Sequence, residues 1–379
     1  MIGRLNIVDE GVLNRNPLPG HQAISAYHPM VLPLSRNELL CCFRQSQALY
    51  SLDGRLMFSR SRDGGSSWVL EGPLGPAIGD GFCYSAGWLS RARDGTLLLV
   101  GLRHPATQDQ LIRFSAETGG WMGDELFFCR SGDDGRTWDD IELPRLDTGS
   151  LPGHIDIHSP IIELDDGRWM LSGEMWKSWD DPEPLHIKGV KYFSDDYGKS
   201  WRGPLELPTN RDDNRMYSHA QYRRLTDGQV AALMWTQSVG GAESFDLHLI
   251  TGSTDGADWT VPQPTGIDGQ TSCLADLADG MWVAAYSRRE RDRPGIAVVL
   301  SQDSGTTWNI RDQILVWDAV GQEFLGTQHR PDYPASHDNI AFGKPDVAVL
   351  SEREVLVSWW CTQKCVTQIR FAKLEVHTT

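Results

Sequence analysis

Apolar and polar positions fall along this chain in short runs, and six of those runs double back on themselves. They are LPLSRNELLCCFR (32–44), LSRARDGTLLLVGLR (89–103), IIELDDGRWMLSGE (161–174), YRRLTDGQVAALMW (222–235), LADLADGMWVAAYSR (274–288) and VAVLSEREVLVSWW (347–360). Most carry an acidic residue and a glycine between two apolar arms, which predicts a β-hairpin. A second phrase interleaves with them: SRDGGSSW (61–68), SGDDGRTW (131–138), SDDYGKSW (194–201), STDGADW (253–259) and SQDSGTTW (301–308). Four copies fit Ser-x-Asp-x-Gly-x-x-Trp; the fourth is one residue short and places Ala257 where glycine is expected. The chemistry is that of a tight turn. Asp accepts from the turn's own N–H groups, Gly takes a positive φ without a Cβ clash, and Trp folds back over the turn as a plug. No step needs a substrate, so the phrase describes scaffold.

Each of the first five hairpins is followed by one Asp turn. That gives four strands per unit, A and B joined at the apolar hairpin, C and D at the Asp turn. The sixth unit ends after VTQIRFAKLEV (366–376) and lacks its fourth strand, while Leu5–Leu13 is a spare run at the other end. The predicted fold is all-β: a six-bladed β-propeller of four-stranded antiparallel blades, closed by pairing the N-terminal strand with the last blade. Closure removes the open edges that invite aggregation. No linker, low-complexity tract or charge block divides the chain, so residues 1–379 read as a single propeller domain.

A net charge of −16 argues against a nucleic-acid partner, because such binding leans on Lys and Arg neutralising phosphates. No apolar run approaches the ~20 residues that span a bilayer, so no membrane partner is expected. The start, MIGRLNIVDEG, lacks an apolar signal core. Seven cysteines without regular spacing suit reduced thiols, and the expected compartment is cytoplasmic, with a secreted form trimmed of its signal left open. Cys361 and Cys365 lack the partner pair of a zinc site, and no cofactor is expected. Fifteen Trp exceed what five turns use; the rest are expected in blade packing and a sugar-stacking site.

Five Asp turns on six blades resemble the sialidase (neuraminidase) superfamily, whose repeats are called Asp boxes or BNR repeats, over essentially the whole chain. The resemblance implies a carbohydrate substrate and an active mouth opposite the Asp boxes, built from the starts of the A strands and the B–C loops. Sialidases carry Arg-Ile-Pro on the first inner strand and two further Arg, which together grip a carboxylate through guanidinium forks. Here that stretch reads Ala26-Tyr27-His28-Pro29, and the other inner-strand starts offer no Arg. Arginines fall in the B–C loops instead, at Arg44, Arg103, Arg288, Arg289, Arg291 and Arg293. Sugar chemistry is implied; sialic acid specificity is not.

Asp53 occupies the loop where sialidases place their acid/base Asp. Tyr217 and His219 share a face of blade four's inner strand, and Glu243 follows in the next B–C loop. They would form a relocated analogue of the sialidase Tyr–Glu pair, which belongs to the last blade, where this chain reads Ser336-His337-Asp338. His28, His154, His158 and His219 are expected near one mouth, for a metal or a general base, with His28 the base candidate. Glu174 and Trp176 add a carboxylate and a stacking platform. Sugar contacts are expected from Arg44, Arg103, His158, Glu174, Trp176, His219, Arg288 and Lys344. Each residue also has a purely structural reading: an Asp-Gly turn, a packed Tyr, a polar lining. Three functions stay open. They are an exo-acting glycoside hydrolase, a lyase-like enzyme acting on uronate-containing glycans, and a non-catalytic carbohydrate-binding propeller.

Overall fold

Every predicted hairpin closes, and the strands assemble in six antiparallel sheets. The computed structural model describes residues 3–75, 81–106, 115, 117–209, 214–289, 293–320 and 340–378. Blade 1 runs from the axis outward through Ser25–Pro33, Leu39–Ser46, Arg55–Ser61 and Val69–Pro73. Its second strand is buried almost throughout and its last is largely exposed. The same gradient holds in blade 3, where Trp169–Trp176 is buried at every position and Arg202–Glu206 faces solvent. Blades stack face to face, so a middle strand has no wet side. This explains why hairpin arms such as LLCCF and TLLLV are continuous apolar runs, not alternating ones.

The ring closes as the spare segment predicted. Gly3–Asn14 pairs antiparallel with Val366–Thr378, from Gly3 opposite Thr378 to Asn14 opposite Ile369. One departure is blade 2, whose outermost strand shrinks to a single bridge between Phe128 and Glu142. Among the described residues, no helix is long and apolar enough to cross a membrane.

In all five Asp turns the Ser hydroxyl donates to the Asp carboxylate. In the first, Ser61 Oγ donates to Asp63 Oδ1 (2.8 Å), Ser67 N–H to the same oxygen (2.9 Å), and Trp68 Nε1 to Gly65 O (3.0 Å). The short copy corrects the sequence reading. Gly256, not Ala257, takes the left-handed φ of 66°, and Trp259 Nε1 donates to Gly256 O at 2.8 Å. The missing residue therefore lies between Asp and Gly, and Ala257 replaces nothing.

Backbone and side-chain donors of Thr137 hold Asp133 at about 2, and those of Ser200 hold Asp196 at about 2, against an ordinary 3.8. A depressed folded-state pKa stabilises above the unfolded value and is lost as pH falls from 3.8 towards 2. Asp133→Ala and Asp196→Ala are expected to lower the melting temperature at pH 7. They should also flatten its fall between about pH 4 and 2. Turnover per folded molecule should hold, since these turns lie on the rim away from the cavity described next; normal melting with lost turnover would refute that placement.

Candidate active site

The inner strands are regular near the Asp-turn rim and break where they cross the axis. In blade 3 the first strand is split into His154–Asp156 and Ile162–Glu163, and in blade 4 into Arg215–Ser218 and Arg223–Arg224. Blades 1, 2 and 6 bulge between Tyr27 and Met30, Tyr84 and Ala86, and Gly343 and Asp346. At three of these breaks a non-glycine residue sits in the left-handed region: His28 (φ 52°), His219 (φ 54°) and Lys344 (φ 42°). Such backbone costs on the order of 1–3 kcal/mol per residue and persists only where packing enforces it. Here all three residues line one axial cavity, together with Ser85, Asp156, His158, Thr271 and Arg289, so all six blades contribute. Its walls include Trp88, Trp121, Trp176, Trp235 and Trp360.

The floor carries a compact charge cluster. Asp156 and Glu174 are directly opposed across neighbouring antiparallel strands, so their side chains share a face. His158 Nε2 lies 3.5 Å from Asp156 Oδ2 and 3.4 Å from Glu174 Oε2. On its other side, His158 Nδ1 meets Lys344 Nζ at 2.9 Å. An ammonium only donates. His158 therefore accepts at Nδ1 and keeps its hydrogen on Nε2, facing the carboxyls. Burial first, then Lys344, pushes His158 down to about 3, so it stays neutral. Burial lowers Lys344 to about 8 against the pull of Asp156 and Glu174. Its ammonium also lies 4.7 Å from the Trp88 ring centre.

The two carboxyls differ in access. The Asp156 side chain is 30 % exposed, into the cavity, whereas that of Glu174 is 5 % exposed. Burial raises Asp156 above the usual carboxylate value. Burial likewise carries Glu174 up to about 7, opposed by the Ala220 N–H (3.0 Å) and Trp176 Nε1–H (3.3 Å) that it accepts. Asp156 is thus the acid that a ligand can reach. Glu174 sits one layer behind, orienting Trp176 and facing His158. His28 is held well below its usual value by burial, then by Lys344.

Of the residues expected at the mouth, His28, His158, Trp176, His219 and Lys344 line the cavity, and Glu174 backs it. The others lie elsewhere. Asp53 is exposed and caps its own loop, accepting from Gln47 N–H (3.0 Å) and Ser51 Oγ (2.5 Å), as its Asp-Gly turn reading allowed. Tyr217 packs between blades 3 and 4, ring centre 5.6 Å from that of His248. Glu243 is exposed in its loop. Arg44 is buried and gives its donors to Tyr84 O, Ala48 O, Leu49 O and Ser51 O, fixing a loop instead of meeting a sugar. Arg103 pairs with Glu125 (3.1 Å) over the Phe82 ring. Arg288 is outside the lining, where its neighbour Arg289 stands instead, held by Gln270 Oε1 (2.9 Å) and Phe342 O (3.0 Å). His154 meets Trp121 O at 3.0 Å, away from the floor. Arg291 and Ser336-His337-Asp338 lie outside the described residues. Among the described residues, no group of three or more His, Cys, Asp and Glu is arranged to hold a metal ion.

Asp156 is the residue that sequence reasoning passed over. Its signal was present: in HIDIH (154–158) the extended-strand face that holds both His also holds the Asp between them.

A profile of the BNR repeat-like domain matches residues 91–336. The chain belongs to this family. No curated protein matches it by sequence comparison. Among solved structures, a Dyadobacter fermentans protein of unknown function is 19% identical, with 98% of this chain and 99% of that one covered and a TM-score of 0.73. An alpha-L-arabinanase of Penicillium chrysogenum, complexed with arabinobiose, is 14% identical over 98% of both chains, TM-score 0.60. A sialidase of Streptococcus pneumoniae is 12% identical over 96% of this chain and 70% of its own, TM-score 0.58. At these identities the likeness is one of fold. This BNR repeat-like protein shares its propeller fold with these glycoside hydrolases.

Proposed function

We propose that this BNR repeat-like protein is an exo-acting glycoside hydrolase that takes the terminal sugar of a glycan into the axial cavity. The observation that carries this reading is the cavity floor. One reachable carboxyl with a raised pKa, Asp156, stands on a layer of neutral His158, cationic Lys344 and buried Glu174, beneath tryptophan walls suited to the apolar face of a sugar ring. Asp156 donates its proton to the leaving glycosidic oxygen, as glycosidase general acids do. Glu174, when ionised, supplies fixed negative charge near the developing positive charge on the sugar. Relatives of the same fold that act on arabinose polymers or sialosides support the substrate class, a glycan. They do not choose the sugar.

A second reading, elimination next to a uronate, draws on His28. Its imidazole is neutral, so a ring nitrogen is free of its second proton, and its Nδ1 has no hydrogen-bond partner. Lys344 would neutralise the uronate carboxylate. The test is a panel of aryl glycosides, including arabinofuranoside and sialoside, alongside uronate polysaccharides. Phenol release from an aryl glycoside is expected. Ultraviolet absorbance of an unsaturated uronate, without phenol release, would put elimination first. Sugar binding with neither product would mean a binding propeller.

A further inference from the structure

Behind the cavity wall of blade 2 lies a second titratable cluster that the proposed hydrolysis does not use. Cys83 and His104 are opposed across the first two strands of that blade. His104 Nδ1 lies 3.2 Å from Asp124 Oδ1, and the side chains of His104 and Asp124 are 0 % and 6 % exposed. The Gly54 N–H points at Cys83 Sγ from 3.3 Å. A methyl group at Gly54 would sit 2.4 Å from Tyr84 O and 2.5 Å from Arg44 Nε, so only glycine lets the loop come this close. Thiol, imidazole and carboxylate thus stand in the order that turns a thiol into a thiolate.

The environment separates Cys83 from the other cysteines. Burial raises Cys41, Cys42, Cys129, Cys273 and Cys361. Burial acts on Cys83 too, but His104, the Arg44 guanidinium and the Gly54 N–H outweigh it and pull the thiol below its usual value. Cys365 is exposed.

We propose that Cys83 is a peroxide-oxidisable thiol, activated by His104 and Asp124. His104 takes the Cys83 proton, and the imidazolium so formed faces Asp124. The thiolate sulfur attacks one oxygen of hydrogen peroxide, an S–O bond forms and the O–O bond breaks. The departing hydroxide takes the proton from His104 as water. Sulfur is oxidised to a sulfenic acid and the peroxide is reduced. The oxidant must be small, because Cys83 is 0 % exposed. One loop covers it: Sγ also lies 3.7 Å from Ser51 O, and Gln47 and Ala48 of the same loop are exposed. The new oxygen must fit between Sγ and the Ser51–Gly54 turn. That loop carries Leu49 and Tyr50 into the cavity wall, so oxidation shifts one side of the cavity.

The experiment treats the full chain with limiting hydrogen peroxide near pH 7, removes the peroxide, and unfolds the protein in dimedone, which traps sulfenic acids. Peptide mass spectrometry then reads each cysteine. Cys83 is expected to carry at least ~10-fold more adduct than exposed Cys365, since thiolate character governs this chemistry. In His104→Gln the Cys83 adduct should fall to the level of Cys42. Should that variant fail to fold, Asp124→Asn serves the same purpose. Adduct on Cys365 ahead of Cys83, or a folded variant labelled like the parent, overturns the proposal. The readout does not depend on any sugar being a substrate.

Discussion

Asp156→Asn is expected to lower kcat by about 10²-fold or more, equivalent to about 2.7 kcal/mol of barrier. The amide keeps the shape of the side chain, but it has no acidic proton for a leaving oxygen. Binding of the sugar should change far less, because the tryptophan walls and Lys344 remain. The pH dependence follows from the sign of the shift. The protonated form of Asp156 is the active one, and burial raises its pKa. Activity therefore extends to higher pH than a free carboxyl allows, and falls as pH rises through that raised value. Glu174 at about 7 and Lys344 at about 8 titrate close by, so the alkaline limb belongs to the set, not to one residue. In Asp156→Asn that limb should flatten. The measurement is kcat and KM against pH on the glycoside that the screen identifies, with melting as a control for folding. A folded variant within threefold of the parent would remove Asp156 from the role of acid.

The scaffold was legible because its signals are local and repeated. A glycine at an apolar hairpin or an Asp between hydroxyl and N–H donors needs only its immediate neighbours. Six copies of the apolar hairpin then fix the count of blades. The site was only partly legible, for a different reason. Its residues lie where the inner strands break, and a break removes the alternation that sequence reading relies on. His28, His219 and Lys344 were expected at the mouth because they sit at inner-strand starts, and all three line the cavity. Asp53 was misplaced because its position in the B–C loop was read without the loop's own hydrogen bonds, which consume its carboxylate. Arg44 was misread for the same cause. Arg44 looks like a free cation in sequence, yet backbone carbonyls 40 residues on and 4 to 7 residues on surround it. HIDIH placed Asp156 on the face of its two His, but its pairing with Glu174, 18 positions away, shows only in the fold.

Removing residues 1–14 should have the largest effect on stability of any change considered. The first strand is the outermost of blade 6 and comes from the opposite end of the chain to the other three strands of that sheet. It buries Leu5 and Leu13 to 7 % and 5 % exposure, each worth about 1.5–3 kcal/mol on transfer from water. The two leucines alone amount to a large part of the roughly 5–15 kcal/mol that holds a typical domain folded. Gly3 also sits against Leu300 of blade 5, where a Cβ would come within 2.8 Å, so the strand tightens the junction between neighbouring blades. Its loss exposes the edge from Ile369 to Thr378, where N–H and C=O groups that faced the first strand lose their partners. Such an edge recruits other chains. The truncated protein should melt well below the parent and elute as soluble aggregate in size-exclusion chromatography with light scattering. A synthetic peptide of residues 3–14 added in trans should restore the monomer, because an added strand satisfies the same ladder. A truncated chain that stays monomeric and melts within a degree or so of the parent would show that strand pairing at this seam does not hold the ring shut.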